Sequence, residues 1–141
     1  MRICIINLKG GVGKSVTAIN LADCFARRGR RVLVVDLDKQ ANTTKYYNRL
    51  DYQAADVGDV LTRKSSIPMA MRGTEEKDIT LLPANMSLLN ANREIMLDTL
   101  YPQQSRLRDA LEEVEGLFDV VLMDCPPDLD MGAINALCAA D

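Results

Sequence analysis

The chain has 141 residues, 48% apolar and 26% charged, with a formal net charge of −3. That is the composition of one folded domain with its own core, and the slight acidity excludes a bulk polycation built to coat nucleic acid. It holds no histidine, which removes His-based triads, His-built zinc sites and His general bases, and leaves carboxylates, lysines, backbone dipoles or a bound metal for any chemistry.

In chain order, residues 2–7 (RICIIN) read as a buried strand. A helix follows from Gly13 and Lys14 to Arg28, with Ala18, Leu21, Ala22 and Phe25 on one stripe and Gly29 as its stop. Residues 30–38 (RRVLVVDLD) form a second strand, apolar on both faces and acidic at its C-terminal end, as in a parallel sheet covered on both sides. A short helix is expected within 41–50 and two short helices within 56–72 around Pro68. Residues 78–83 (DITLLP) read as a third strand, 84–97 as a helix, and QQSRLRDALEEVEGL as another. Residues 118–127 (FDVVLMDCPP) form a fourth strand, again ending in acid, and 131–140 a last helix. Strands alternating with helices give an α/β class: a parallel sheet with helices on both faces, in one domain over 1–141.

The cysteines at 4, 24, 125 and 138 show no C-x-x-C spacing and read as reduced core thiols. No stretch approaches the about 18 apolar residues of a spanning helix, and the N-terminal apolar run is too short for a signal peptide. The basic run ARRGRRV (26–32) is either a solvated helix end or a contact for DNA or another phosphate surface.

Open α/β sheets bind ligands beyond the C-terminal ends of their strands. Three segments deliver polar residues there: Lys9 through Ser15, Asp36 with Asp38, and Asp124. In NLKGGVGKS (7–15) the glycines let backbone N–H groups approach a ligand at a helix N-terminus, which suits a phosphate chain. Lys14 is placed to reach the β- and γ-phosphates and Ser15 to ligate Mg2+. Leu8 stands where the usual phosphate-loop pattern has its first glycine. Asp36 and Asp38, two apart, share a face, and a strand-end acid such as Asp124 commonly holds Mg2+ through water.

KGGVGKS, DLDKQANTT and FDVVLMDCPP together resemble the ParA/Soj-type deviant Walker A partition ATPases of the ParA/MinD superfamily, with LLPAN (81–85) and INAL (134–137) extending the similarity over the chain. The resemblance implies a P-loop NTPase fold and a bacterial, cytoplasmic ATPase: a slow, Mg-dependent dimerisation switch for plasmid or chromosome partition. ATP, ADP and Mg2+ are its implied ligands. A homodimer, a ParB-like protein and nonspecific DNA on the nucleoid are its implied partners, with no membrane. Residue by residue, Gly10, Gly11, Val12, Gly13, Lys14, Ser15 and Val16 wrap the phosphates. Ser15, Asp36 and Asp124 serve the metal, Asp38 orients the attacking water, and Lys9 reaches in trans to the partner's nucleotide. A cation supplied that way is worth roughly 10³–10⁵ in rate in other NTPases; the slow turnover of this family implies less.

Val16, Lys39 and Asp128 depart from the family pattern, which commonly has Thr, Pro and Ser there. An acid at 128 must point away from the γ-phosphate or weaken ATP binding. Family members are longer, so the resemblance implies the N-terminal portion of the fold, cut after its fourth strand, with the edge of strand 2–7 open to another chain. Other readings are a MinD-like positioning ATPase, against which Gln40 to Thr44 argue, an iron–sulfur carrier using Cys125, and a nucleotide-holding scaffold without turnover.

Overall fold

Val32–Asp36 is buried at every position and forms the centre of the sheet. In the computed structural model, which describes residues 1–141, it is strand β2. The other strands are β1 (Arg2–Ile5), β3 (Arg72–Gly73), β4 (Ile79–Leu82) and β5 (Val120–Asp124). The helices are α1 (Lys14–Ala26), α2 (Asn42–Tyr46), α3 (Val57–Leu61), α4 (Ile67–Ala70), α5 (Leu88–Leu97), α6 (Arg106–Leu111, continued by a 3-10 turn over Glu112–Val114) and α7 (Met131–Ala139).

The sheet runs β1-β5-β2-β4-β3, parallel except for the β3–β4 pair. It therefore has five strands where the sequence pattern gives four. The extra strand is a two-residue pairing of Arg72 and Gly73 with Leu81 and Thr80, too short to leave a periodic signature.

Side-chain alternation splits the core in two. Val32, Val34, Val120 and Leu122 pack with Ala22, Ile79 and Leu81 beneath α1. Leu33, Val35, Val121 and Met123 pack with residues of α3, α5, α6 and α7 on the opposite face. Each fully buried aliphatic side chain of β2 contributes about 1.5–3 kcal/mol through burial. The same parity places Asp36 and Asp124, register partners at the ends of β2 and β5, on the α1 face.

Strand β1 is half-buried throughout rather than buried, because it is the sheet's edge. At Arg2 its outer side meets Asp141, whose N–H donates to the Arg2 carbonyl (3.1 Å) while its carboxylate accepts the Arg2 N–H (2.8 Å). The reading of four core thiols also needs correcting. Cys24 and Cys138 lie on the outward faces of their helices and are exposed. Cys125 is buried, with its sulfur 3.5 Å from that of Cys4, a position that withholds it from any shared cluster. In the basic run, Arg27 pairs with Asp23 (2.7 Å) and Arg31 with Asp119 (3.0 Å), so part of that charge is already neutralised. No helix is long and apolar enough to cross a membrane.

Candidate nucleotide site

Gly11 (φ 69°) and Gly13 (φ 89°) hold left-handed backbone conformations that a side chain would strain, and Gly13 caps α1 without any side-chain hydrogen bond. The consequence is chemical. The first backbone donor after Lys9 is Thr17, bonded to the Gly13 carbonyl, and none of the N–H groups from Gly10 to Val16 donates within the protein. Unspent donors in series at the positive end of a 13-residue helix make an anion-binding nest. The Lys14 ammonium lies over the loop and donates to the Lys9 carbonyl at 3.2 Å. Lys9 is exposed, and its N–H donates to the Asn7 side chain at 2.9 Å.

Residues Gly10 to Val16 line a cleft of about 280 Å3, closed by Asp38, Gln40 and Asn42 on one side and Pro127 on the other. Loops after three separated strands thus meet at one place, as the sequence pattern anticipates. Asp38 faces the cleft, with one oxygen accepting the Gln40 N–H at 2.9 Å.

The two strand-end acids differ. Asp36 is sealed from solvent. Its oxygens accept the Asp38 N–H (3.1 Å), the Thr44 N–H (2.9 Å) and the Thr44 hydroxyl (2.7 Å), and that hydroxyl in turn accepts the Ala84 N–H (3.0 Å). Burial pushes its carboxyl up to about 7 against the pull of the Thr44 bonds, with Asp124 adding to the rise. Neither Asp36 nor Asp124 lines the cleft, but every Asp36 acceptor contact is taken up within the protein while one Asp124 oxygen is not. Asp36 is a strut joining β2, α2 and the loop after β4, whereas the sequence reading gave it metal support.

Asp124 accepts the Thr43 hydroxyl at 2.7 Å through Oδ2, while Oδ1 is buried with no partner. Burial raises its carboxyl as well. The nearby Ser15 and Thr43 hydroxyls oppose that, Asp38 adds to it, and Lys14 opposes it from further off. An orphaned buried carboxylate oxygen normally marks a missing donor. A metal-bound water beside Ser15 would satisfy it, so the residues present fit a Mg2+ ion. No three His, Cys, Asp or Glu side chains form a cage of their own. A cation here therefore takes its remaining oxygens from phosphates and water, which is the habit of Mg2+.

Sequence reasoning missed Thr43, and it took Thr44 only as part of a pattern. The readable signal was two adjacent hydroxyls opening a helix just after an acidic strand end. A larger cavity of about 600 Å3 lies between α3, α4 and α6. Several of its charged groups are paired, Arg106 with Asp98, Lys64 with Glu94 and Asp109 with Arg108, while Arg63 lies over the Tyr101 ring, and none of the phosphate-loop residues reaches it.

Comparison with known proteins agrees with this fold. The Bacillus subtilis sporulation initiation inhibitor protein Soj is 39% identical over 143 residues, 99% of this chain and 54% of its own length. The Myxococcus xanthus chromosome partitioning protein ParA is 39% identical over 140 residues, 99% of this chain and 49% of its own. Among solved structures, a cobyrinic acid a,c-diamide synthase from Mycobacterium smegmatis with bound ATP analog and magnesium superimposes at a TM-score of 0.93 and 36% identity, over 99% of this chain and 56% of that one. The chain spans about half the length of the curated relatives it matches. Relatives of one fold thus carry different activities, so the fold does not decide between them. The family model described as AAA domain matches residues 1–141. With that match over every residue, and partition proteins among its relatives, the chain belongs to the AAA domain family, in its ParA/Soj-type deviant Walker branch.

Proposed function

We propose that this chain is the nucleotide-binding part of an ATP-driven dimerisation switch in DNA partition. The observation that carries the reading is the run of unspent N–H donors from Gly10 to Val16, facing the same cleft as Lys14 and Asp38 beside the unpartnered oxygen of Asp124. The loop amides cradle the phosphates of ATP or ADP, and Lys14 leaves the Lys9 carbonyl for the β- and γ-phosphates. Ser15 would ligate Mg2+ and Asp124 would hold it through water; when bound, the ion supplies charge neutralisation on the transferred phosphoryl group. Asp38, with one oxygen fixed by the Gln40 amide, orients the attacking water with the other.

The dimeric part of the reading has its own support. Leu8, Val12 and Val16 are exposed around the loop, an apolar rim beside Lys9 that suits a second copy of the chain. From there Lys9 acts on the partner's phosphates. In the whole protein the ATP dimer binds DNA nonspecifically, and a ParB-like protein stimulates hydrolysis and release. The cobyrinic acid a,c-diamide synthase neighbour and the Soj and ParA relatives support the nucleotide and the partition role respectively.

The test is calorimetric titration of the chain with Mg-ATP and Mg-ADP, followed by phosphate release. Wild-type binding with loss of at least tenfold in Lys14→Ala is expected. Turnover that vanishes in Asp38→Ala with binding intact separates a switch from a scaffold that only holds nucleotide. Absence of binding by wild type sinks the proposal.

A further inference from the structure

One ion pair ties the two walls of the cleft together. The Lys39 ammonium lies 3.6 Å from Asp128 Oδ2. Lys39 sits between Asp38 and Gln40, both of which line the cleft, and Asp128 follows Pro127, which lines it from the other side. The pair therefore bridges the loops leaving β2 and β5. A third acid stands close by. Asp130 caps α7 by accepting the Ala133 N–H (2.9 Å) and accepts the Asn92 side-chain amide (2.7 Å). Burial pushes the Asp130 carboxyl up, its two hydrogen bonds and the Lys39 charge pull it down, and Asp128 pushes it up again. One ammonium thus serves two carboxylates, and no other cation pairs with Asp128.

Remove that ammonium and Asp128 loses its only ion-pair partner and Asp130 a nearby positive charge, which leaves two acids after β5 uncompensated by the loop that carries Asp38. The cost falls on whichever ligand carries more negative charge. ATP exceeds ADP by one phosphoryl group and about one charge, and like charges at surface-like dielectric still repel measurably over several ångströms. We propose that Lys39 is a specificity-determining residue: by holding Asp128 it keeps this wall neutral toward a terminal phosphate and sets the preference for nucleoside triphosphate over diphosphate. This inference rests on the nucleotide reading above. It also makes the pair a latch, because a loop carrying Asp38 and a loop carrying Pro127 are held in fixed relation by it.

The experiment is a double-mutant cycle on the full chain, Lys39→Gln, Asp128→Asn and both together, read as the ratio of ATP to ADP affinity with magnesium present. Lys39→Gln is expected to lower ATP affinity roughly two- to fivefold, the effect of one solvent-screened charge, and ADP affinity by less than half that factor. Asp128→Asn is expected to leave ATP affinity unchanged or slightly improved, and the double variant to return within about twofold of wild type. Equal loss for both nucleotides, or a double variant as weak as Lys39→Gln, overturns the proposal, since either means that Lys39 acts without Asp128. Hydrogen exchange across residues 126–131 without nucleotide judges the latch separately: both single variants should speed it alike, and unchanged exchange in both removes the latch. If wild type binds neither nucleotide, the functional reading fails and the specificity role with it, while the exchange measurement still decides whether the latch exists.

Discussion

The Thr43 hydroxyl donates to Asp124 Oδ2 at 2.7 Å and leaves the other carboxylate oxygen, near the Ser15 side chain, with no partner in the protein. A threonine on α2 thereby aims an acid on β5. Without the hydroxyl, Asp124 becomes a buried carboxylate with no hydrogen bond from the Thr43 side, at a cost of about 1–3 kcal/mol.

Thr43→Val keeps the shape and deletes that donor. Nucleotide affinity in the presence of magnesium should fall about tenfold, while affinity in EDTA stays near wild type, because the residue acts through the metal-facing acid. Thr43→Ser should restore most of the loss. Titrations with and without magnesium read this directly, and equal losses in both would mean that Thr43 only supports the fold.

Asp36 gives the chain a pH dependence of a definite sign. Its carboxyl lies near pH 7 in the folded protein and near the ordinary 3.8 when unfolded. Between those values the folded state holds the proton and the unfolded state does not, so stability falls as pH rises from about 4 to about 7 and then levels off. At about 1.4 kcal/mol per pH unit, the upper bound on the Asp36 contribution is about 4 kcal/mol. Urea unfolding in EDTA should show wild type less stable at pH 8 than at pH 5. Asp36→Asn should flatten that slope. Near pH 5, where wild-type Asp36 holds its proton, the substitution should cost about 1–2 kcal/mol, because its amide meets the donors now satisfied by the carboxylate, and that deficit should shrink or reverse by pH 8. Thr44→Val removes two links of the same strut and should destabilise at both pH values.

What was legible in the sequence follows the range of the forces. β2 announced itself because valine and leucine fill both faces, and only a doubly covered strand tolerates that. The phosphate loop was readable because glycine and lysine spacing is local chemistry. The edge position of β1 was not readable from RICI itself, which looks the same beside one neighbour or two; it was anticipated only through the family resemblance and the short chain. β3 is two residues stabilised by β4 alone. Asp36 and Asp124 look alike in sequence, both acids ending apolar strands. What separates them is which threonine of α2 each meets, a matter of how α2 packs. Lys39 and Asp128, two departures from the family pattern, gave no sign in sequence of being partners.

The four cysteines should separate cleanly by reactivity. Burial raises the Cys4 thiol, and it raises Cys125 far more strongly, with Cys4 adding to the effect. Cys24 and Cys138 are exposed. Thiolate is the reactive form, so iodoacetamide near pH 8 should label Cys24 and Cys138 at least about tenfold faster than the other pair, by peptide mass spectrometry. In urea all four should react alike. Early labelling of Cys125 would show that the end of β5 opens more readily than its burial implies.

Two surfaces compete to explain any self-association, and nucleotide distinguishes them. The edge of β1 offers backbone groups beyond the Asp141 contact at Arg2, and pairing there is indifferent to ligand. The rim of Leu8, Val12 and Val16 surrounds the phosphate loop, so association through it is coupled to what the loop holds. Light scattering across a concentration series should show monomer without nucleotide and a doubled mass with Mg-ATP in a variant slowed by Asp38→Ala. Val16→Ser should weaken the doubling by roughly tenfold or less, the scale of one buried aliphatic side chain. Lys9→Ala should reduce it further by removing a cation from the partner's phosphates. Concentration-dependent growth without nucleotide, insensitive to both substitutions, would assign association to the β1 edge and leave the loop a site within one chain.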